Sequence, residues 1–243
     1  MCELFYKYFS IIKMLYPHIK IICSGDFRQL APVNDRVIDC NYKDSDVLHE
    51  LSDGNRLQLT KCRRSDDILF NISKNVEHLD KSEFGNKDNN INICYFNTTR
   101  HRINKICMDR HLRTVASKNK SFKIDCGLNV DANYSIIVSS GMPIISKINK
   151  ASDELYNNES FKIVKCSKNN TIELKNDLTN EILTVKGEEF NSKFDLGFCL
   201  TNYKAQGITI DKPYTIYDYD YMSKEGMYVC ITRATKKELI NFR

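Results

Sequence analysis

The sequence is poor in the features that mark several protein classes. It contains no Trp, only 4 Pro and only 9 Gly in 243 residues. No apolar run approaches the roughly 20 residues that a membrane-spanning helix needs, and Lys13 and Lys20 interrupt the longest candidate. The first residues also lack a secretory signal pattern, because acidic Glu3 stands where basic residues are expected. We therefore expect no membrane partner and no secretory leader.

The cysteines lack the spacing of a zinc site or a disulfide framework. Ten are present, and the closest two, Cys94 and Cys107, are 13 positions apart, so no Cys-x-x-Cys pair exists. Several fall inside apolar runs, as buried free thiols do. This pattern favours a reducing intracellular compartment: cytoplasm, nucleus or a viral replication site. No metal ligands are predicted.

Composition and charge set broad limits on the fold and on partners. The mass of 28.3 kDa allows one to two domains with a real core, and 42% hydrophobic and 28% charged residues are ordinary for a globular protein. The net charge of +5 and the pI of about 8.6 permit nucleic-acid binding without demonstrating it.

The first distinctive stretch is a short apolar segment that ends in a Gly-Asp turn. The apolar spacing over Glu3–Tyr16 predicts a helix that Pro17 ends, and Ile19–Cys23 predicts a buried strand. Gly25 and Asp26 then form a turn. Gln29 would follow it at the carboxyl end of the strand, where its amide can sense a phosphate oxygen or a water. Taken alone, an ordinary strand and turn is the commoner interpretation.

Two further segments have the same pattern of a strand leading into a helix. Arg56–Ser65 alternates like a strand and ends in Arg63 and Arg64, and Ser65 is predicted to cap a helix that runs to Val76. By itself, such an arginine pair is more often solvated than catalytic. Farther on, Ile91–Phe96 predicts a strand, and Asn97, Thr98 and Thr99 cap a helix that passes Met108.

The region at about 129–191 predicts a small all-β insert. Its short β-like runs are separated by polar turns: Tyr134–Val138, Pro143–Ile148, Phe161–Lys165, Thr171–Lys175 and Ile182–Val185. The Asp153-Glu154 pair follows no apolar strand, so we interpret it as a solvated turn rather than a metal-binding pair.

The last third carries the densest set of candidate contacts. Leu196–Thr201 predicts a buried strand that leads into a Lys204-Ala-Gln206-Gly207 segment. Gly207 allows a close backbone approach, and Thr201 and Lys204 supply a hydroxyl and a cation for phosphates. Tyr203 can donate a hydrogen bond or stack. Gly226–Thr235 follows with Arg233 near its end, and Leu239–Phe242 predicts a closing strand.

Taken in order, these segments resemble superfamily 1 helicases of the RecD-like, petite-integration-frequency type. Gly25–Val33 resembles motif III, Leu59–Asp66 motif IV, Thr201–Thr209 motif V and Gly226–Thr235 motif VI. The resemblance implies catalytic roles at the γ-phosphate for Gln29, Arg64 and Arg233. It implies nucleotide contacts for Gly25, Asp26, Gln206 and Gly207, and nucleic-acid contacts for Asn97, Thr98, Thr201, Tyr203 and Lys204. The chain departs from the family at Phe96, where the family has Thr, and at Tyr203, where it has His.

The resemblance also implies an architecture and a function. The expected fold is α/β: a RecA-like parallel-sheet lobe over residues 56–243 with a small β-barrel-like insert, preceded by the last unit of a first RecA-like lobe over residues 1–55. The expected function is that of the C-terminal portion of an ATP-dependent helicase that moves along single-stranded DNA.

Two parts of a helicase motor are missing from the sequence. It has no Gly-x-x-x-x-Gly-Lys-Ser/Thr loop to cradle phosphates and no apolar strand that ends in Asp-Glu to hold Mg²⁺. We therefore expect the chain alone not to hydrolyse ATP, and ATP and Mg²⁺ to bind only with a missing N-terminal half. Met1 would then be an internal methionine of a longer frame. The alternatives are a truncated remnant that acts as a nucleic-acid-binding module and a split helicase that needs a partner chain.

Overall fold

The computed structural model describes residues 3–30, 42–116, 122–150 and 155–243. Residues 31–33 of the motif III segment and the Asp153-Glu154 pair lie outside this described part. The helices are α1 (Glu3–Leu15), α2 (Asp46–Leu51), α3 (Asp67–Ile72), α4 (Asn97–Ala116), α5 (Gly187–Lys193) and α6 (Lys224–Ile231). The strands are β1 (Asn92–Cys94), β2 (Ile124–Asn129), β3 (Tyr134–Val138), β4 (Pro143–Ser146), β5 (Ser160–Cys166), β6 (Thr171–Asn176), β7 (Ile182–Lys186), β8 (Phe194–Leu196), β9 (Cys199–Thr201), β10 (Tyr214–Ile216) and β11 (Ile240–Phe242).

A parallel sheet forms the centre of the lobe. Its strand order is β11-β10-β1-β9, and every neighbouring pair is parallel. Successive residues of a strand face opposite sides. Ile93 of β1 therefore packs in one core with Leu69 and Tyr214, and Cys94 packs in a second core with α4. Both faces of the sheet are covered, as in other parallel α/β sheets. The predicted α/β, RecA-like fold is confirmed.

Helix α4 is fixed to the sheet by both apolar and polar contacts. Its buried side chains include Ile103, Cys107 and Leu112, which all pack in the second core. The amide of buried Asn104 accepts a hydrogen bond from Cys199 N at 2.9 Å and donates one to Cys199 O at 3.2 Å. The second turn of α4 is therefore held at a fixed position beside Cys199, the first residue of β9.

The predicted β-rich insert is present. Five antiparallel strands in the order β7-β6-β5-β4-β8 form one sheet, and β2 pairs with β3 in another. All five predicted β-runs correspond to strands, β3 to β7. Asn133, Asn158, Asn170 and Asn180 have positive φ angles of 58° to 74° in the turns of this region, a conformation that Asn tolerates better than most residues. Closure into a barrel and the bounds 129–191 stay predictions.

The N-terminal segment differs from its prediction. Helix α1 is present as expected, but Ile19–Cys23 forms no strand, and Ile22 is 91% exposed. A strand needs a neighbour to receive its backbone hydrogen bonds, and the described residues provide none beside this segment. The prediction of a buried strand is therefore wrong. The division into residues 1–55 and 56–243 stays a prediction.

The segment before α3 also differs from its prediction. Arg56–Cys62 forms no strand, and Leu57 and Leu59 are 95% and 93% exposed, so alternation alone was misleading. Ser65 is not the N-cap, because its hydroxyl lies 3.2 Å from the Cys62 sulfur. Asp66 caps the helix instead by accepting a hydrogen bond from Leu69 N at 2.8 Å. The helix ends at Ile72, one turn earlier than predicted, and Val76 begins a separate 3₁₀ turn.

The predicted strand Leu196–Thr201 is divided between two sheets. Leu196 pairs with Ile144 in the insert, and Cys199–Thr201 pairs with β1 in the parallel sheet. Gly197 lies at the change of sheet, where a Cβ atom would stand 3.1 Å from Ile144 N. Among the described residues, no helix combines the length and the apolar content required to cross a lipid bilayer.

Candidate functional site

The structure brings together predicted residues that are far apart in the sequence. A cleft of about 190 Å³ lies between the N-terminal loop, the segment before α3 and the end of α6. Its lining includes Asp26, Arg28, Gln29, Cys62, Arg64, Tyr228, Thr232 and Arg233. All three residues predicted to act at a γ-phosphate therefore face one cleft.

Asp26 attaches the N-terminal loop to helix α6. Tyr228 Oη donates a hydrogen bond of 2.9 Å to Asp26 Oδ2, and Arg28 donates from its backbone N and its Nε to Oδ1 at 3.0 and 3.1 Å. The Arg28 guanidinium also lies 4.6 Å from the centre of the Tyr228 ring. Burial acts to raise the pKa of Asp26, but the hydrogen bonds from Arg28 and Tyr228 outweigh it, so the pKa is lowered. Its predicted nucleotide contact stays a prediction.

Gln29 and Gln206 join the two sides of the site. Gln206 Nε2 donates to Gln29 Oε1 at 3.2 Å across 177 positions of sequence. Gly207, next to Gln206, has a φ of 92°, and a Cβ atom there would meet nothing within 4 Å. The glycine is thus required by its backbone conformation, and its open surroundings leave room for a ligand. Gly25 likewise has open space around it.

Arg64 and Arg233 contribute two of the positive charges that line the cleft. Arg233 is only 1% exposed, and it donates to Val229 O at 2.9 Å, to Ile208 O at 3.2 Å and to Thr232 Oγ1 at 3.0 Å. Arg64 Nη1 donates to Thr232 O at 3.2 Å. Burial and then the nearby Arg64 lower the pKa of Arg233 to about 10, so the guanidinium is still charged at neutral pH. Two like charges this close favour an anion beside them.

The lining of the cleft suits an anion. Arginine forks onto phosphate oxygens, and Arg64 lines the cleft together with the amide of Gln29. The described residues contain no group of three or more His, Cys, Asp or Glu side chains placed to hold a metal ion.

The predicted nucleic-acid contacts share the carboxyl edge of the parallel sheet. Asn97 and Thr98 are exposed in the first turn of α4, and Asn97 Oδ1 accepts from Arg100 Nε at 3.1 Å. Thr201 Oγ1, at the end of neighbouring β9, accepts from Lys204 N at 3.4 Å. Tyr203 is 44% exposed in the same turn. Because β1 and β9 are adjacent, these side chains all lie at one edge.

Comparison with known proteins gives the fold a precedent. No family model matches the sequence, and no curated protein matches it. Among solved structures, a Pif1 helicase from Candida albicans matches with a TM-score of 0.55 and 14% identity over 90% of this chain and 63% of that one. A Pif1 helicase from Bacteroides in complex with ADP-AlF3 and ssDNA matches with a TM-score of 0.54 and 17% identity over 90% and 60%. The fold is that of the Pif1 helicases.

A third solved structure also matches, and it shows two coordinating Pif1 helicases in DNA unwinding at forked dsDNA. Its TM-score is 0.53, with 17% identity over 75% of this chain and 48% of that one. The predicted resemblance to petite-integration-frequency helicases is thus confirmed at the level of the fold. This chain spans about half to three-fifths of the length of the Pif1 chains it matches.

Sequence analysis missed a buried charge cluster beside the carboxyl edge of the parallel sheet. Asp195 of β8 accepts a hydrogen bond from Arg100 Nη1 at 3.0 Å and lies 3.7 Å from Lys204 Nζ. Burial acts to raise the pKa of Asp195, but Arg100, Lys204 and then Lys147 outweigh it and lower the pKa. Burial lowers the pKa of Lys204 despite the nearby carboxylate. Arg100, Lys204 and Asp195 together carry net positive charge, which suits a phosphate backbone.

Asp218 is a second residue that sequence analysis missed. It has a φ of 59°, and its carboxylate accepts hydrogen bonds from Tyr95 N, Phe96 N and Thr99 Oγ1 at 3.3, 3.2 and 3.1 Å. It therefore joins the turn after β10 to the loop between β1 and α4. Strand β10 is only three residues long, so no periodic pattern announced either the strand or this aspartate.

Proposed function

We propose that this chain is a portion, the C-terminal one by its motifs, of an ATP-dependent DNA helicase. In this function it grips single-stranded DNA at the carboxyl edge of its parallel sheet and directs two arginines to the terminal phosphate of ATP. One observation carries the proposal: Gln29, Arg64 and Arg233 line a single cleft, and Gln206 is hydrogen-bonded to Gln29 at its edge. Arginines so placed neutralise charge that develops during phosphoryl transfer.

The turn after β9 offers a route between the two sites. Residues 202–207 form one short turn directly after Thr201, the last residue of β9. Tyr203 and Lys204 in this turn belong to the nucleic-acid edge, and Gln206 is hydrogen-bonded to Gln29 of the cleft. A change at the nucleotide that displaces Gln206 would move its neighbours by a comparable distance. We propose that this turn couples nucleotide state to the grip on DNA, which is how a translocating motor uses ATP.

The missing phosphate loop defines what else the function needs. Because the 243 residues contain no Gly-x-x-x-x-Gly-Lys-Ser/Thr loop, we propose that ATP and Mg²⁺ are held together with a segment or a partner chain that carries one. In such a complex Arg64 and Arg233 would contact the γ-phosphate, and Gln29 would orient the attacking water. Alone, the chain should show no ATP hydrolysis.

Binding and hydrolysis can be measured separately on the purified chain. We expect fluorescence anisotropy to show binding of a labelled oligothymidine, weakened by Lys204→Ala and retained in Arg64→Ala and Arg233→Ala. Lys165→Ala, on exposed β5, is the matched control for loss of a lysine. Adding the phosphate-loop half of a Pif1 helicase should produce DNA-stimulated hydrolysis that Arg64→Ala abolishes. Absence of DNA binding, or hydrolysis by the chain alone, would contradict the proposal.

A binding module without ATPase activity is the second candidate. This candidate is favoured by the burial and the hydrogen bonds of Arg233. The residue is almost fully buried, and its guanidinium donates to three acceptors of its own lobe. An arginine in this state can serve structure rather than catalysis. The mixing experiment separates the candidates, because a binding module would retain DNA affinity and gain no hydrolysis with any phosphate-loop half.

We also propose that the protein works in a reducing intracellular compartment. Six of the eight described cysteines are buried as free thiols, and none of the eight is in a disulfide. Burial raises the pKa of the Cys126 thiol to about 12 and that of Cys166 to about 11, which keeps both thiols protonated and unreactive. Mass spectrometry of alkylated protein from its native source would test this proposal through the number of free thiols.

A further inference from the structure

Three aromatic side chains form an exposed platform at the carboxyl edge of the parallel sheet. This aromatic platform consists of Tyr95, Phe96 and Tyr221. The ring centres of Tyr95 and Phe96 are 4.9 Å apart at an angle of 68°, and those of Phe96 and Tyr221 are 5.4 Å apart at 59°. The residues are nevertheless 38%, 41% and 70% exposed. Single exposed rings are ordinary, but three mutually tilted rings in contact at one edge form an aromatic cluster that is open to solvent.

The platform is held in place by the backbone. Asp218 binds the N–H groups of Tyr95 and Phe96 with its carboxylate, and its own carbonyl accepts from Tyr221 N at 3.1 Å. The two loops that carry the rings are thereby fixed to each other. Rings that are preorganised in this way lose little conformational entropy when a ligand binds.

The surroundings of the platform suit a single nucleic-acid strand. Helix α4 begins at Asn97, directly after Phe96, and its first turn presents N–H groups with no intrahelical partner. Tyr203 lies at the end of the neighbouring strand β9. The nearby acidic side chain of Asp220 is 2.5 Å from Lys81 Nζ, so its charge is compensated. Rings beside phosphate-binding donors match the alternation of bases and phosphates in a single strand.

We propose that Tyr95, Phe96 and Tyr221 stack against the bases of the single strand that this edge binds. The inference rests on the proposed DNA-binding function and adds a base-stacking site to it. Phe96 stands where the resembling helicases have a Thr, so a ring that takes a base replaces a hydroxyl that would contact a phosphate. Because every base has a π face, the site tolerates any sequence.

An abasic strand gives the sharpest test, because it keeps the phosphates and removes the bases. Anisotropy should show that the whole chain binds an oligothymidine of about 16 nucleotides at least about 5-fold more tightly than an abasic strand of equal length and charge. Phe96→Ala and Tyr221→Ala should each raise Kd for oligothymidine by about 5-fold to 150-fold and leave Kd for the abasic strand unchanged. Tyr221→Phe, which keeps the ring, should bind like the parent chain.

Phe122→Ala is the matched control, because Phe122 is 51% exposed and its ring is covered by Lys168 at 5.4 Å rather than by other aromatic rings. Its affinity for both strands should equal that of the parent chain. Equal affinity of the parent chain for the two strands would overturn the platform and leave the proposed DNA-binding function standing. Binding to neither strand would overturn both.

Discussion

Asp195→Ala should destabilise the protein far more than the loss of an ordinary ion pair. The Asp195 and Arg100 side chains are only 12% and 10% exposed, and Lys204 lies within 4 Å of the same carboxylate. With an effective dielectric constant of about 20, Coulomb's law gives about 5.5 kcal/mol of attraction at the 3.0 Å distance to Arg100 and about 4.5 kcal/mol at the 3.7 Å distance to Lys204. The variant would leave both cations without their counter-ion.

The net cost is smaller than the sum of these attractions, because the freed cations recover part of their hydration. Breaking a buried pair from one side typically costs about 3–5 kcal/mol. With a urea dependence of about 3 kcal/mol per M, the unfolding midpoint should fall by about 1 to 1.7 M. The chain has no Trp, so circular dichroism is the suitable signal.

Two controls make this prediction refutable. Glu173→Ala breaks an ion pair near the surface, in which the Lys165 side chain is 64% exposed and the Glu173 side chain 35% exposed. This variant should lower the free energy of unfolding by at most about 1 kcal/mol. The double variant Arg100→Met/Asp195→Leu should recover the part of the loss that comes from Arg100, since a buried pair can be replaced by apolar groups at little cost, while Lys204 stays without its counter-ion. If Asp195→Ala shifted the midpoint no more than Glu173→Ala, the assignment of a buried charge cluster at this edge would be refuted.

Three further predictions follow from single features of the site. The pKa of Asp195 is lowered in the folded state. Its contribution to stability is therefore complete above the pKa of the unfolded chain and is lost as pH falls through the pKa of the folded state. In urea titrations, the difference in stability between the parent chain and Asp195→Asn should shrink below about pH 4. Gly207→Ala should cost about 1–2 kcal/mol in thermal unfolding from its φ of 92° alone, because no atom obstructs the added methyl group. Tyr228→Phe removes a donor to a carboxylate worth about 1.5 kcal/mol, and hydrogen exchange should show faster opening at residues 26–29 with little change in the overall melting temperature.

The sequence predicted a strand correctly where the neighbouring strand lies close by in the chain, and it failed where the pairing would depend on a distant strand. Strands β3 to β7 alternate and are separated by turn residues, and each finds its neighbour close by in the chain. Ile19–Cys23 and Arg56–Cys62 have similar local patterns, but no strand lies beside them in the described residues. A window of sequence cannot distinguish the two cases, because backbone pairing is settled by the rest of the chain. Strand β10 is too short for any period to be visible.

The candidate site was partly predictable for a reason of topology. Gln29, Arg64, Gln206 and Arg233 each belong to a motif-like segment, and those segments meet at one cleft. The residues that support the site were not predictable in this way. The contacts of Tyr228 with Asp26 and of Asp195 with Arg100 span 202 and 95 positions. Each of these residues is unremarkable in its own neighbourhood, so only the assembled fold reveals its role.

The asparagines in the turns of the insert have a consequence for how this gene could evolve. Asn133, Asn158, Asn170 and Asn180 adopt the left-handed conformation that glycine usually supplies, in a chain with only 9 Gly. Asparagine codons are rich in adenine and thymine, whereas every glycine codon begins with two guanines. A genome under pressure toward adenine and thymine can therefore give up glycines at these turns and keep the hairpins, because the replacement residue accepts the same backbone angles. The insert thus tolerates a shift in base composition that a turn requiring glycine, such as the one at Gly207, would not.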